Sequence, residues 1–419
     1  MKAVNLGLVG AGSIGVRHIQ AIDKVDEISL VAIADPSPVA AEFGKARSIP
    51  VYADAESMFQ AGGMDAVIIA TPTEKHHKIV MVALTHHLTV LVEKPISATV
   101  EEARDITRFA NEQGCHVLVG HQRRYYPCAE KARDIIQSGQ LGTLMAVIGQ
   151  WTARKDDPYY APEWRREVEA GPILTNLIHE IDLLRFICGD ITTVSAEITH
   201  HDQKFAKEDA VAIIMKFANS AIGTFLLSDR TPTPWTWEMA LGENSKFPKS
   251  GQNSIRFMGT KGALEFPNLI LWSHSDAGGN WQDDIQSEVI ETPFIDAYVK
   301  QCQHLCAVVQ GAETPIIDAE NGTRSLEATL AAVRAATEGT RVILDLNSYQ
   351  KRKDILDDVP CWRVGLGLWV FTCGAYWAWH VGLGLWGFGL WGFGLWGLAC
   401  GTLALTLLAL HVPCWPWLV

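Results

Sequence analysis

The sequence predicts two domains, an α/β domain on a parallel sheet over residues 1–122 and an α+β domain with an open, mainly antiparallel sheet over residues 123–346. Three observations carry this. Short apolar runs alternate with helix-like stretches up to residue 122, the pattern of a sheet buried on both faces. Beyond residue 140 several segments instead alternate apolar and polar residues, as half-exposed antiparallel strands do. The chain has 419 residues, 48% of them hydrophobic, which is enough for more than one core.

The first element is read from "VNLGLVGAGSIGVRHIQAI": a buried strand, a tight turn and a helix start. The turn carries Gly10-x-Gly12-x-x-Gly15, with Ser13 and Ile14 inside it. Gly10 permits the turn, Gly12 lets the backbone approach a pyrophosphate, and Gly15 lets helix and strand pack closely. The helix N-terminus then offers unpaired N–H groups to the phosphates. A second strand, "ISLVAIAD", ends on Asp35, 20 residues after Gly15. A carboxylate there accepts hydrogen bonds from the adenosine ribose hydroxyls and repels a 2′-phosphate, and no arginine follows it closely. NAD is therefore favoured over NADP as cofactor. "DAVIIATPTEKHH", "LTVLVEKPIS" and "CHVLVGHQRRYYP" supply three further buried strands. The charged pair Glu93-Lys94 stops the second of these, which puts Lys94 at the carboxyl end of a strand, where open parallel sheets bind ligands.

In the second domain "GTLMAVIGQWTARK", "DAVAIIMKFANSAIGTFLLSD" and "NSIRFMGTKGALEF" read as antiparallel strands, the middle one as a hairpin turning at Asn219-Ser220. Before them, "GPILTNLIHEIDLLRFICGD" reads as a helix from Ile173 to about Cys188. At 100° per residue Thr175, His179 and Asp182 share one polar stripe with Asn176 at its edge, and Leu177, Ile181, Leu184 and Cys188 line the opposite face. Such a stripe on an otherwise apolar helix should face a lined cleft.

Taken in order, GAGSIG, Asp35, "TPTEKH", "VEKP", "VGHQRRYYP", "WRREVEAGPILTNLIHEIDLLRFICG" and "FMGTKGALEF" resemble the Gfo/Idh/MocA oxidoreductases. The resemblance covers residues 3 to 346. It implies a Rossmann domain, then an α+β domain whose open sheet forms a homodimer or homotetramer, and a substrate that is a sugar, cyclic polyol or sugar acid oxidised or reduced at a secondary alcohol. It puts Lys94 beside both nicotinamide and substrate, with Glu93 and Pro95 positioning it and a cis bond often preceding the proline. Thr71, Pro72, His76 and Gln122 fall in motifs near the cofactor. The family's usual pattern before the helix histidine is an Asp four residues earlier. His179 and the later Asp182 match, but Thr175 stands where that Asp is expected, with Asn176 beside it. His87 likewise stands where a turn glycine is usual.

The chemistry these residues suggest is removal of a hydride and a proton from an alcohol. His179 is the candidate base, Lys94 the cation that stabilises developing alkoxide, Asn176 a hydrogen-bond partner of a neighbouring hydroxyl and Asp182 a partner of His179. Arg124, Tyr160, Trp164, Arg165 and Trp235 are candidates for the substrate pocket, and the aromatic ones among them can either stack on a sugar or serve as packing. Two other readings stand beside the dehydrogenase: an NAD-holding sensor, kept open by Thr175, and an NAD-dependent lyase or glycosidase that oxidises transiently.

A net charge of −12 argues against a nucleic-acid surface. The start of the chain runs straight into a strand without a signal-peptide pattern, and the five cysteines before residue 350 form no CxxC pair, so reduced thiols in a cytoplasmic protein and no metal site are expected. His77, His86, His87, His200 and His201 read as surface residues. Residues 347–419 read as a charged linker and a Trp/Gly/Leu-rich tail. No Lys, Arg, Asp or Glu follows Arg363, and GFGLW repeats in tandem at 387–391 and 392–396. A five-residue period fits neither helix nor strand, so the tail reads as a non-native C-terminus in preference to a membrane anchor, and a membrane becomes a partner only if the tail is real.

Overall fold

Runs such as "VNLGLV" and "TVLVE" are apolar on both sides of the pleat because both faces of their sheet are covered. In the computed structural model, which describes residues 3–200, 205–243, 247–275 and 279–346, they form a six-stranded parallel sheet. His201, the linker and the uncharged tail lie outside the described residues. The strands are β1 (Val4–Val9), β2 (Ile28–Ala34), β3 (Val51–Tyr52), β4 (Ala66–Ile69), β5 (Thr89–Glu93) and β6 (Val117–Gly120), in the order β3-β2-β1-β4-β5-β6. The order reverses between β1 and β4, which opens a crevice beyond their carboxyl ends. Helices α1 (Ser13–Ile22), α2 (Pro38–Arg47), α3 (Ala55–Ala61), α4 (His76–Thr85) and α5 (Val100–Gln113) make the crossovers. Leu6, Leu8 and Ile68 pack with Ile19 on one side of the sheet, while Val67, Ile69 and Val90 pack with Val80 and Ile106 on the other.

After α6 (Pro127–Gln137) the second sheet is assembled from β7 (Leu144–Arg154), β8 (Ile191–Thr199), β9 (Ala210–Phe217), β10 (Ile222–Ser228), β11 (Arg230–Trp235), β12 (Ile255–Gly259), β13 (Gly262–Phe266), β14 (Ile270–His274), β15 (Ile285–Val289) and β16 (Val342–Ile343). Its order is β15-β14-β13-β12-β7-β10-β9-β8-β16, with β11 also pairing β7. The β7–β10 pair is parallel and the other pairs are antiparallel. The expected hairpin turns at Asn219-Ser220, where Ser220 has a φ of 73° and the Asn219 side chain accepts the Ala221 N–H. α7 (Ile178–Cys188) and the short α8 (Trp237–Leu241) contribute to the core on one face. The other face is open: Met145, Ile148, Ile214, Ile222 and Leu226 point outward, each 44% to 60% exposed.

The last two helices cross back over the division at residue 122. Cys302, Leu305 and Cys306 of α9 (Ala297–Val309) join the core beneath α1, so both cysteines serve as packing, and Leu326 of α10 (Ala319–Glu338) joins the core on the opposite side. Among the described residues no group of His, Cys, Asp and Glu is arranged to hold a metal, and no helix is long and apolar enough to cross a membrane.

The helix expected from Ile173 to Cys188 is continuous, but its first turn is not α-helical. Ile173–Leu177 form a π turn before α7 begins. The Thr175 hydroxyl donates to Gly171 O, and the buried Glu208 carboxylate accepts the Ile173 N–H, both of which engage the start of the helix. A π turn bonds i to i+5, so the 100° spacing behind the polar stripe fails before Leu177.

His87 adopts the left-handed φ of 55° that a glycine would take there, so the turn before β5 keeps its geometry at the expense of backbone strain. His87→Gly should raise stability by about 1 kcal/mol. Urea unfolding of the purified protein checks this; an unchanged or lower midpoint contradicts it.

Candidate active site

The glycine turn closes as the sequence implies. Gly10 has a φ of 93°, and a Cβ there would lie 2.6 Å from Ala70 O. A Cβ on Gly15 would lie 2.0 Å from Gly10 O, whereas one on Gly12 would meet nothing within 4 Å. That open space, beside exposed Ser13 and Ile14, is where a pyrophosphate could approach the backbone. No side chain caps α1, so its first N–H groups point into the crevice unclaimed. Asp35 closes the far side. Its carboxylate accepts the Ala11 N–H (2.7 Å) and the Ser37 N–H (2.7 Å), which fixes it at the end of β2 with lone pairs to spare for ribose hydroxyls. Burial raises its pKa, but the bonds from Ala11 and Ser37 outweigh that and hold it below the ordinary carboxylate range. The crevice therefore fits a dinucleotide.

Lys94 follows β5 directly, and the Lys94–Pro95 bond is cis. His76 ties this turn to the neighbouring strand end, its two ring nitrogens lying 2.8 Å from Pro95 O and 2.9 Å from Thr71 O. Pro72 lies just beyond Thr71, and buried Gln122 stands just past the end of β6. Glu93 is buried beneath, with one oxygen 2.8 Å from His18 Nε2 and the other accepting the Lys94 N–H. The Lys94 ammonium forms no ion pair with a carboxylate among the described residues. Burial lowers its pKa and the Arg123 charge adds to that, with Glu93 opposing.

Two consecutive arginines join this rim to α7. Arg123 pairs with Glu180 and with Glu238 (3.0 Å), and its guanidinium lies 4.9 Å from the Trp237 ring centre. Arg124 donates twice to Asp182, at 2.9 and 2.7 Å, and Ser325 donates to the same carboxylate at 2.8 Å. These side chains are all buried except Glu238, which is partly so. Arg124 and Asp182 are thus engaged with each other, and the histidine beside the Asp182 carboxylate is His121. Burial pushes the Asp182 carboxyl up, but Arg124 and His121 bring it down to about 2.

His179 keeps an accessible position with Asn176, while its Nδ1 is buried and lacks a hydrogen-bond partner. No carboxylate orients it among the described residues. Its pKa lies well below the ordinary 6.5, first through burial and then through the charges of Lys94, Arg123 and His121. The Lys94 charge comes first among these, and His121, just past β6 beside the end of β5, meets the His179 ring edge to face, which brings the imidazole of the second domain to the strand ends of the first sheet.

The expected pocket residues divide. Tyr160 is buried, with Lys207 and Arg230 over its ring at 5.1 and 5.3 Å, so it packs the interior. Trp164 is 60% exposed and lies under Arg165, which also covers Tyr159 at 4.2 Å. Trp235 is partly exposed on β11. Sequence reasoning missed His18, His121 and Lys155. His18 follows Gly15 by three residues on the buried face of α1, a position legible from the turn motif. His121 forms an edge-to-face contact with His179, with centroids 6.4 Å apart, and lies 3.7 Å from Asp182. Lys155, just past β7, has its ammonium 3.2 Å from Asn176 Oδ1.

Known proteins share this fold. Residues 4–121 match the model of an oxidoreductase family with an NAD-binding Rossmann fold, and residues 129–265 match the C-terminal domain of the same family. The chain belongs to the Gfo/Idh/MocA oxidoreductases. It is 31% identical over 237 residues to the rhizopine catabolism protein MocA of Rhizobium meliloti, covering 55% of this chain and 73% of that protein. It is 26% identical over 352 residues to scyllo-inositol 2-dehydrogenase (NAD(+)) of Bacillus subtilis, covering 82% and 97%. An oxidoreductase from Agrobacterium radiobacter, solved in complex with NAD+, L-tartaric acid and magnesium, has the same fold, with a TM-score of 0.69 at 20% identity over 82% of this chain and 98% of that one. As a Gfo/Idh/MocA protein, the chain is an NAD-dependent oxidoreductase, and the sensor and lyase readings are not favoured.

His121 makes stability pH-dependent. Burial lowers its pKa from 6.5 to about 4, with Arg124 and Lys94 adding to this and Asp182 opposing. Between those values the unfolded chain binds the extra proton, so the native state should lose up to about 3 kcal/mol as pH falls from 6.5 to 4. Denaturant unfolding across that window should show a shallower loss in His121→Gln; an identical slope would refute the assignment.

Proposed function

We propose that this protein oxidises a secondary alcohol of a sugar, cyclic polyol or sugar acid with NAD, using His179 as base and Lys94 as the electrostatic catalyst. The contact of His179 with His121 at the strand ends of the parallel sheet, where Lys94 follows β5, is the observation that carries this reading. Bound there, NAD supplies the hydride acceptor. The nitrogen of His179 left accessible is Nε2, and a ring kept neutral by burial and neighbouring cations can accept the hydroxyl proton there at neutral pH. Lys94 would stabilise the negative charge that grows on the oxygen, and its partial burial strengthens that effect. The same charge disfavours the imidazolium, so the pair holds its one proton on Lys94 and leaves His179 free to accept another. Asp182 and Arg124 act as positioning residues, locking α7 to the rim of the first sheet.

The open face of the second sheet supports a homo-oligomer, because a row of outward apolar side chains on a soluble chain favours burial against a second copy. Buried or half-buried free thiols at Cys115, Cys128, Cys188, Cys302 and Cys306 support a reducing, cytoplasmic setting.

Lys94→Ala and His179→Ala should each bind NAD as the parent does and lose at least about 100-fold in turnover on the best polyol, read from NADH absorbance. Near-full activity in either variant would remove that residue from the mechanism. Asp35→Ser should narrow the preference for NAD over NADP, measured as a ratio of kcat/KM values; an unchanged ratio argues against the ribose contact. Ile148→Asp combined with Ile214→Lys should shift the sedimenting species to the monomer, and an unshifted species would place the interface elsewhere.

A further inference from the structure

We propose that the substrate carries a carboxylate and that Lys155, with Asn176, is the subsite that selects it. The inference rests on the dehydrogenase reading above and narrows its substrate class. Thr175 occupies the position where an acid was expected, and its single hydroxyl proton is shared between Gly171 O and Asn176 Oδ1, both at 2.9 Å. Asn176 Oδ1 also accepts from Lys155 Nζ at 3.2 Å. With its oxygen doubly occupied, the amide of Asn176 has only N–H groups left to offer. Lys155 likewise offers only donors. Lys155 and Asn176 therefore present hydrogen-bond donors and positive charge on this side of α7.

The nearest carboxylate behind the wall is divided between two lysines. Asp229, fully buried, lies 3.7 Å from Lys155 Nζ, but its shorter bond at 2.8 Å goes to the buried Lys207. Two lysines thus share one aspartate. The ammonium of Lys155 is held over the Tyr159 and Trp151 rings at 4.7 and 5.5 Å, and its side chain remains 15% exposed. That anchorage fixes the cation before any ligand arrives, so little side-chain entropy is lost on binding. Asn176, in the π turn, precedes His179 by three residues on a continuous helix, so the two lie within one turn of each other. A carboxylate held here would lie a few bonds from the carbon whose hydroxyl faces His179. A neutral polyol would instead leave the Lys155 cation to water or to a hydroxyl, a weaker partner than a carboxylate.

The test pairs acids with neutral counterparts: gluconate with glucitol, and glucuronate with glucose, each with NAD and the full-length protein. The expected result is a higher kcat/KM for at least one acid than for its counterpart. Lys155→Met should lower that acid-to-neutral ratio by about 10- to 100-fold, chiefly through KM, with Lys155→Arg retaining most of it. Thr175→Asp, which places an anion beside Asn176, should lower the same ratio. Calorimetric titration of the NAD-loaded protein with each acid gives a readout independent of turnover, and the parent should bind the acid more tightly than Lys155→Met does. Equal ratios in parent and Lys155→Met, or titrations that do not differ, would overturn the carboxylate subsite while leaving the dehydrogenase intact. Absence of NADH formation from every substrate, together with parent-like behaviour of His179→Ala, would instead overturn the underlying reading.

Discussion

Two buried arginines hold the two halves of this molecule in a single working geometry. Arg123 and Arg124 leave the end of the last strand of the parallel sheet and grip Glu180 and Asp182, on either side of Ile181 in the helix that carries His179. Taking such charges out of water costs several kcal/mol, recovered only when geometry and secondary hydrogen bonds are good. Here Ser325 and Glu238 supply those extra bonds. Removing one partner would leave an uncompensated buried charge, a loss of about 3–5 kcal/mol in comparable cases. The registration of α7 against the rim of the parallel sheet is therefore fixed by electrostatics as well as by apolar packing.

The same arrangement sets the ionisation of the centre. Burial and the nearby Lys94 and Arg123 charges keep His179 neutral, while burial together with Arg123 eases the proton off Lys94. Glu93 restrains that second effect, and it is anchored by His18 from the helix that also presents the phosphate-facing N–H groups. One helix thus serves the cofactor crevice at its N-terminus and the lysine turn one turn later. The cofactor crevice and the Lys94 turn share one scaffold.

The π turn ahead of α7 gives the wall its character. It begins where Glu208 accepts the Ile173 N–H and Thr175 folds its hydroxyl back on Gly171. The wider turn brings Thr175 and Asn176 into mutual contact and leaves the Asn176 oxygen available to Lys155. An aspartate at 175 would have offered an acceptor to substrate hydroxyls. The Lys155–Asn176 donor pair found instead follows from one side chain and one irregular turn.

The sequence by itself determined the parallel sheet, the glycine crevice, Asp35 and the placement of Lys94 at a strand end. These depend on local rules: apolar runs, a turn that tolerates only glycine, and short fixed spacings. It also located His179 and Asn176 on a helix, because residues a turn apart stay neighbours whatever the fold does. Tertiary structure alone decided what each polar group is engaged with. Asp182 fits a stripe at 100° per residue, yet Arg124 claims it. Tyr160 has the chemistry of a sugar platform, yet Lys207 and Arg230 cover it. Lys155 reads as an ordinary charge after a strand until the fold brings it to Asn176 across 21 residues. Periodicity describes one element at a time, whereas charge pairing depends on distances between elements, and those distances are set only when the chain packs.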